Sequence, residues 1–277
     1  VITKIIVQRD NAEKLEEIKI NNLIISAGPT QTPKLLINNG LAENVNPLNF
    51  HMNLKILCLY EGSTDCEKSS LLTHHVREFE DDGVLFMASN YIKPLIASYL
   101  NFLSTEKIKN FMANYHNGSV FNCQIKPDFS NAKIKKTIFG NNINISWELD
   151  QRDFFKIKKY LKILVELVFI SGAKKVILPI ENCSEIFSNL DDAKRRIDLL
   201  KKKNLEITSV HAMSSCSMNR DEQNITNSFG KLKNFKNAHI LDASILPSNT
   251  GQHPQLTIMS TVSKLIKRNI DNKKFNL

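Results

Sequence analysis

The stretch QRDFFKIKKYLKILVELVFISG, Gln151 to Gly172, constrains this chain more than any other. Apolar residues recur in it at intervals of three and four, Asp150 stands where an N-cap belongs, and Gly172 supplies the stop. The spacing predicts one long amphipathic helix, whose apolar stripe needs a surface to lie on. The segments LKILCLYEG, GVLFMAS and NINISWEL suit strands of an antiparallel sheet that would provide it. YIKPLIASYLN reads as one helix, or as one broken at Pro94.

The two ends of the chain have a different character. Ile2 to Gln8 alternates like a strand, RDNAEKLEE reads as a hairpin loop, and IKINNLIISAG returns as a strand that stops at Gly28. In PTQTPKLLINNG, Thr32 is the expected N-cap, Pro33 the first helical residue and Gly40 the stop. Near the other end AHILDAS is a short buried-type strand ending on Asp242. A loop follows, then a final helix with Pro254 in its first position and an inward stripe of Ile258, Val262, Leu265 and Ile266. The chain opens at Val1 as though entered mid-protein, so we expect an N-terminal portion ahead of it, and localisation does not follow from what is in view.

Composition narrows the chemistry. The chain has 277 residues, 42% of them hydrophobic, which is ample for a core. Its formal charge of +9 allows an anionic partner. The lysines are spread, however, and the densest run, KRRIDLLKKK, lacks interleaved aromatics to stack bases, so nucleic acid is not expected. No apolar run is long enough for a simple transmembrane span. Five cysteines without a C-x-x-C pair favour neither a disulfide framework nor structural zinc, and His211 with Cys216 makes only a pair, so no metal site is expected. Nine glycines, none within two residues of another, exclude G-x-G-x-x-G and the phosphate loop of nucleoside triphosphatases from these residues. No G-x-S-x-G elbow occurs either.

What remains is the mouth of the last helix. A helix N-terminus carries unpaired N–H groups and about half a positive charge, which suits an anion or charge developing in a reaction. His253 stands there with Gln255 just inside. It either presents its imidazole to such a ligand or caps the helix and packs on the loop. His211, in SVHAMSSCSM, sits among small residues that let a backbone approach a flat ligand or simply make a tight turn. His74 and His75 alternate sides if they lie on a strand, and read as structural or with one of them touching substrate.

Taken together, these segments resemble the C-terminal half of the glucose-methanol-choline (GMC) flavin oxidoreductases. NNLIISAGPTQTPKLLINNG resembles that family's second signature, with Asn39, Gly40, Leu41 and Ala42 where Ser-Gly-aliphatic-Gly is usual. VNPLNFHMN is similar to the Asn-Leu-x-x-His segment, one residue shorter between Asn49 and His51. SVHAMSSCSM resembles His-Pro-x-Gly-x-Cys-x-Met, with Ala212 and Ser215 in place of the proline and glycine. HILDASILPSNTGQHPQLTIMSTVSKLI resembles the family's Asp-Ala-Ser strand end and its His/Asn-Pro-Gln-Leu-Thr helix most closely.

The resemblance implies an α/β fold: a split FAD-binding, Rossmann-like domain over residues 1–45 and 205–277, with an inserted α+β substrate domain over 46–204 built on an antiparallel sheet. It places Ala27 and Gly28 beside the adenosine side of FAD, Asp242 and Ala243 at the pyrophosphate and ribityl side, and His253, Pro254 and Gln255 at the isoalloxazine. It also implies an alcohol substrate, oxidised with hydride transfer to flavin N5, with His211 as general base and His253 holding the alkoxide. The electron acceptor, oxygen or another, is left open. Two alternatives stand beside it: a hydroxynitrile-lyase-like flavoprotein of the same fold, and a non-catalytic basic binding module.

Overall fold

Lys4–Gln8 (β1) and Leu15–Lys19 (β2) pair antiparallel, with Ile5 opposite Ile18. This is a computed structural model, and it describes residues 1–8, 14–69, 73–101, 103–181, 183, 185–218 and 225–275. The middle of the expected hairpin loop, residues 9–13, lies outside them. The returning strand is two strands, because β2 ends at Lys19 and Leu23–Ile25 (β3) joins a different sheet. Gly28–Asn38 (α1) and Asn49–Phe50 (β4) follow. Then come Met52–Leu59 (β5), His75–Val76 (β6), Val84–Ala88 (β7), Lys93–Tyr99 (α2), Thr105–Ala113 (α3) and Gly118–Ile125 (β8). The remainder is Ala132–Lys136 (β9), Ile143–Trp147 (β10), Gln151–Ile170 (α4), Lys175–Ile177 (β11), Leu190–Asp198 (α5), Ala212–Met213 (β12), Ala238–Ile240 (β13) and Gln255–Asp271 (α6).

The chain divides into two compact units. Unit 1 comprises Val1–Phe50, Asn131–Glu148 and His211–Leu277; unit 2 comprises His51–Ser130 and Leu149–Val210. The division differs from the contiguous insertion expected from the sequence. Residues 131–148 return to unit 1, because Leu48 and Ala132 exchange backbone hydrogen bonds of 2.8 and 2.9 Å and hold β9 there. Among the described residues, the strand read in NINISWEL therefore pairs only with β9, as a two-stranded hairpin.

Unit 2 is an antiparallel sheet in the order β11-β5-β8-β7-β6. Helix α4 runs as its sequence predicts: the Asp150 carboxylate accepts the Arg152 amide at 2.8 Å, and Gly172 ends the segment with a φ of 98°. It buries Phe154, Ile157, Leu161, Leu164, Val165 and Val168, each contributing roughly 1.5–3 kcal/mol of transfer free energy. Its first turn is fastened by Asp153. That buried carboxylate accepts the amides of Asp128, Phe129 and Ser130 at 3.0, 3.1 and 2.6 Å, and the Ser130 hydroxyl at 2.6 Å. Leu57, Val120 and Ile177 form a second core with Tyr91, Ile96, Leu100, Phe111 and Tyr115. Pro94 breaks nothing, since α2 begins one residue before it, where a missing N–H costs no hydrogen bond.

Unit 1 centres on β3 and β13, paired in parallel with Ile25 opposite Ile240, and on Leu36, Leu232, Ile245 and Leu265 around them. Helix α6 begins at Gln255 with Pro254 as its N-cap residue. Ile258, Val262 and Leu265 face inward, and buried Asn269 continues the stripe. Ile266 does not, because it follows Leu265 by one residue, about 100° around the helix, and is 37% exposed.

Candidate active site

Helix α1 starts one turn earlier than its sequence suggests. Its N-cap residue is Ala27, Pro29 sits in the first turn and Pro33 is interior. Thr32 is not the cap. Its hydroxyl accepts the Ala27 amide at 3.2 Å and donates to the Asp242 carboxylate at 2.6 Å. The same Asp242 oxygen accepts the Gly28 amide at 3.0 Å, so a carboxylate 214 positions away caps the helix, where its charge also suits the dipole. Gly28 has a φ of 86°, which an L side chain rarely adopts, and open space stands where its Cβ would be. Pro33 has no N–H for the Pro29 carbonyl, and the Ser215 hydroxyl donates to that oxygen instead, at 2.7 Å. At the other end Gly40 has a φ of 64°, and the amides of Gly40 and Leu41 donate to Ile37 and Leu36, the Schellman pattern.

His211 immediately precedes β12, which pairs with β4, Ala212 opposite Phe50. Beyond it the chain turns at Ser214, whose φ is 74°. The amides of Ser214, Cys216 and Met218 then donate to the carbonyls of Ala243, Ser244 and Ile245 at 3.2, 2.9 and 2.8 Å. This ladder ties the histidine's strand to the segment after Asp242. The other oxygen of that carboxylate accepts the Ser244 amide at 2.7 Å. The Asn249 carboxamide donates to the Phe50 carbonyl at 2.7 Å, anchoring the loop that leads to His253. Met213, Ala243, Leu246 and Ile258 share one small core, which sets β12, the Asp242 turn and α6 against each other.

The result brings two of the expected groups together. The rings of His211 and His253 meet edge to face, with centroids 5.2 Å apart and planes at 83°. His253 stands directly before Pro254, so its imidazole is at the positive end of α6. Gly28 and Asp242 also meet, through the bond already described. Asp242 spends both carboxylate oxygens on protein donors, so what it offers a ligand is backbone. Burial pushes the Cys216 thiol up to about 12, keeping it protonated and ruling out a thiolate nucleophile there. The sequence does not single out Ser214 or Asn249, and it marks Thr32 only as a helix cap and Ser215 only as a replaced glycine, because each acts through a partner far away in the chain.

The surroundings suit a large cofactor. Ala27, Gly28, Ser214, Ala243 and Ser244 are small, Gly28 leaves its Cβ position open, and the Ser214 hydroxyl is buried with no protein partner among the described residues. An orphaned buried hydroxyl costs about 1–3 kcal/mol, which a ligand's polar group would offset.

Residues 137–261 match the family model described as GMC oxidoreductase. An uncharacterized GMC-type oxidoreductase of Sinorhizobium fredii is 24% identical over 256 residues, which cover 90% of this chain and 49% of that protein. The chain is similar to the GMC oxidoreductases over most of its length. A second GMC relative, also uncharacterized, from Mycobacterium tuberculosis, is 23% identical over 88% of the chain and 39% of its own length. The chain thus spans about half or less of the curated relatives it matches. Two solved structures share the GMC fold: pyridoxine 4-oxidase from Mesorbium loti, with a TM-score of 0.68 at 12% identity over 96% of this chain and 54% of that one, and an Aspergillus oryzae formate oxidase, with 0.58 at 13% over 94% and 56%. GMC oxidoreductases are FAD flavoproteins, so FAD is the cofactor that this similarity points to.

Proposed function

We propose that the whole protein oxidises an alcohol, with His211 as general base and His253 holding the developing alkoxide. The observation that carries this reading is the edge-to-face pair of imidazoles, one of them at a helix N-terminus. Loss of a hydroxyl proton needs a base with a pKa near neutrality, and imidazole, at about 6.5 in reference peptides, meets it. A second donor beside it, backed by the α6 dipole, steadies the oxygen as charge develops. Bound FAD supplies the acceptor for the carbon-bound hydrogen.

In this reading Ala27, Gly28, Asp242 and Ala243 border the cofactor with backbone, and His253, Pro254 and Gln255 border its ring system. Residues 1–45 and 205–277 serve the flavin, and 46–204, apart from the 131–148 segment that belongs to unit 1, serve the substrate. The Gly28 cradle and the orphaned Ser214 hydroxyl support this allocation.

The test is anaerobic addition of an alcohol panel to the protein expressed with its upstream coding sequence, followed by flavin absorbance. Bleaching with one alcohol supports the reading. His211→Ala is expected to retain FAD and lose most of that bleaching; undiminished reduction would remove His211 from the role of base. Cyanohydrin cleavage by the flavin-bound protein, with no bleaching, would instead support the lyase.

A further inference from the structure

The β9–β10 hairpin of unit 1 ends in two large apolar side chains held out in solvent. Ile138 is 92% exposed and Phe139 88%. The tip is a built turn: the Thr137 hydroxyl donates to the carbonyls of Phe139 and Asn142, the Thr137 amide donates to Asn142, and the Asn38 carboxamide donates to Asn141 at 2.9 Å. From Lys133 to Trp147 the hairpin carries three lysines and no acidic residue. All three lysines are exposed.

We propose that this hairpin is a membrane-surface finger, which sets Ile138 and Phe139 into the boundary between headgroups and acyl chains of an anionic bilayer. Two features select that occupant. A bilayer accepts apolar side chains without a complementary pocket, and negative headgroups attract lysines held behind them. A second copy of the chain meets its own like charges, three lysines on each hairpin and +9 overall, so pairing tip to tip is disfavoured. Penetration is shallow: among the described residues no helix is long and apolar enough to cross a membrane.

Geometry ranks the lysines. At about 3.4 Å per residue, Lys136 stands roughly 7 Å behind Ile138 and Lys135 roughly 10 Å, while Lys133 stands roughly 17 Å back. The screening length at physiological salt is about 8 Å, so Lys136 lies within it, Lys135 just beyond it and Lys133 at about twice it, and their attraction to the headgroups falls in that order. A lysine near an anionic surface is worth about 1 kcal/mol, equivalent to about fivefold in partitioning.

The experiment is vesicle co-sedimentation of the purified protein, with phosphatidylcholine alone and with phosphatidylcholine mixed with phosphatidylglycerol. The protein is expected to pellet with the mixed vesicles, less with the neutral ones, and less as salt rises. Joint replacement Lys135→Gln and Lys136→Gln should lower partitioning at least about fivefold and at most about 25-fold, whereas Lys133→Gln changes it little. Ile138→Ser with Phe139→Ser should lower it at least about tenfold without moving the thermal melt, since neither side chain is buried. As a direct reading, Phe139→Trp in a Trp147→Phe background should shift its emission to the blue on mixed vesicles and be quenched by brominated acyl chains. A protein left in the supernatant with both vesicle types would overturn the proposal. So would binding that survives the tip exchange, or a tip exchange that changes oligomeric state instead.

Discussion

The hydroxyl of Thr32 and the carboxylate of Asp242 meet at 2.6 Å in the buried interior of unit 1, across 210 residues of chain. The same carboxylate oxygen also caps α1 by accepting the Gly28 amide, and its other oxygen turns the chain after β13. Asp242→Asn leaves one carbonyl oxygen for three donors and is expected to cost unit 1 about 2 kcal/mol, and Thr32→Val about 1 kcal/mol. Because they share one bond, the double variant should cost less than the sum. Trp147 is the single tryptophan and lies in unit 1, so its fluorescence during urea unfolding is the readout. Full additivity would show that the two side chains act independently.

A proline and a serine make a second coupled pair. Ser215→Ala should cost about 1–2 kcal/mol, by leaving the Pro29 carbonyl without a donor. Adding Pro33→Ala restores an N–H that reaches the same oxygen from within the helix, so the second change should recover part of the loss. If Pro33→Ala is equally costly with and without Ser215, the hydroxyl is not standing in for the missing amide.

His239 makes unit 1 sensitive to acid. It is fully buried against Phe275, with neither ring nitrogen in a well-aligned hydrogen bond among the described residues. Burial first, and then the charge of Lys231, hold its pKa below the ordinary histidine value; nearby Asn269 opposes them only weakly. Above about pH 6.5 both folded and unfolded chains carry a neutral ring, and the full stability is present. As the pH falls below that, the unfolded chain takes up the proton first. Stability should then decline by up to about 1.4 kcal/mol per pH unit until the native ring also protonates. His239→Leu should flatten this part of the profile. An unchanged acid limb in the variant would assign the sensitivity to other groups.

For the chemistry, His253→Asn keeps a neutral hydrogen-bonding group at the mouth of α6 but removes the imidazole. If His253 shares the proton and charge handling, flavin reduction by substrate should slow about 100-fold or more, with FAD retained. A rate within a fewfold of the parent would mean that His253 only shapes the turn before the helix.

Much of this was legible where the signals are local. Helix α4 runs from its Asp150 cap to Gly172 because both residues act within one turn of the helix they bound. The start of α1 was not legible. Thr32 and Pro33 imitate an N-cap and a first helical residue, while the cap itself is Asp242, invisible at that distance in the chain. Alternation in NINISWEL marks a strand but says nothing about which sheet receives it, so the move of residues 131–148 into unit 1 needed the Leu48–Ala132 bonds to be seen. His211 and His253 could be singled out as side chains, yet their meeting depends on the ladder from Ser214 to Met218, which no local pattern encodes.

The 210-residue span between Thr32 and Asp242 also has a duration. At roughly 5–20 residues per second, a ribosome takes about 10–40 seconds to make it. Throughout that interval α1 lacks its Asp242 cap and β3 lacks the neighbour it has among the described residues, since Ala238–Ile240 has not yet been made, whereas every residue of unit 2 precedes His211. Synthesis therefore delivers unit 2 whole while unit 1 still waits with an open helix end and an open strand edge. A nascent chain stalled before Asp242 would present both to chaperones and proteases.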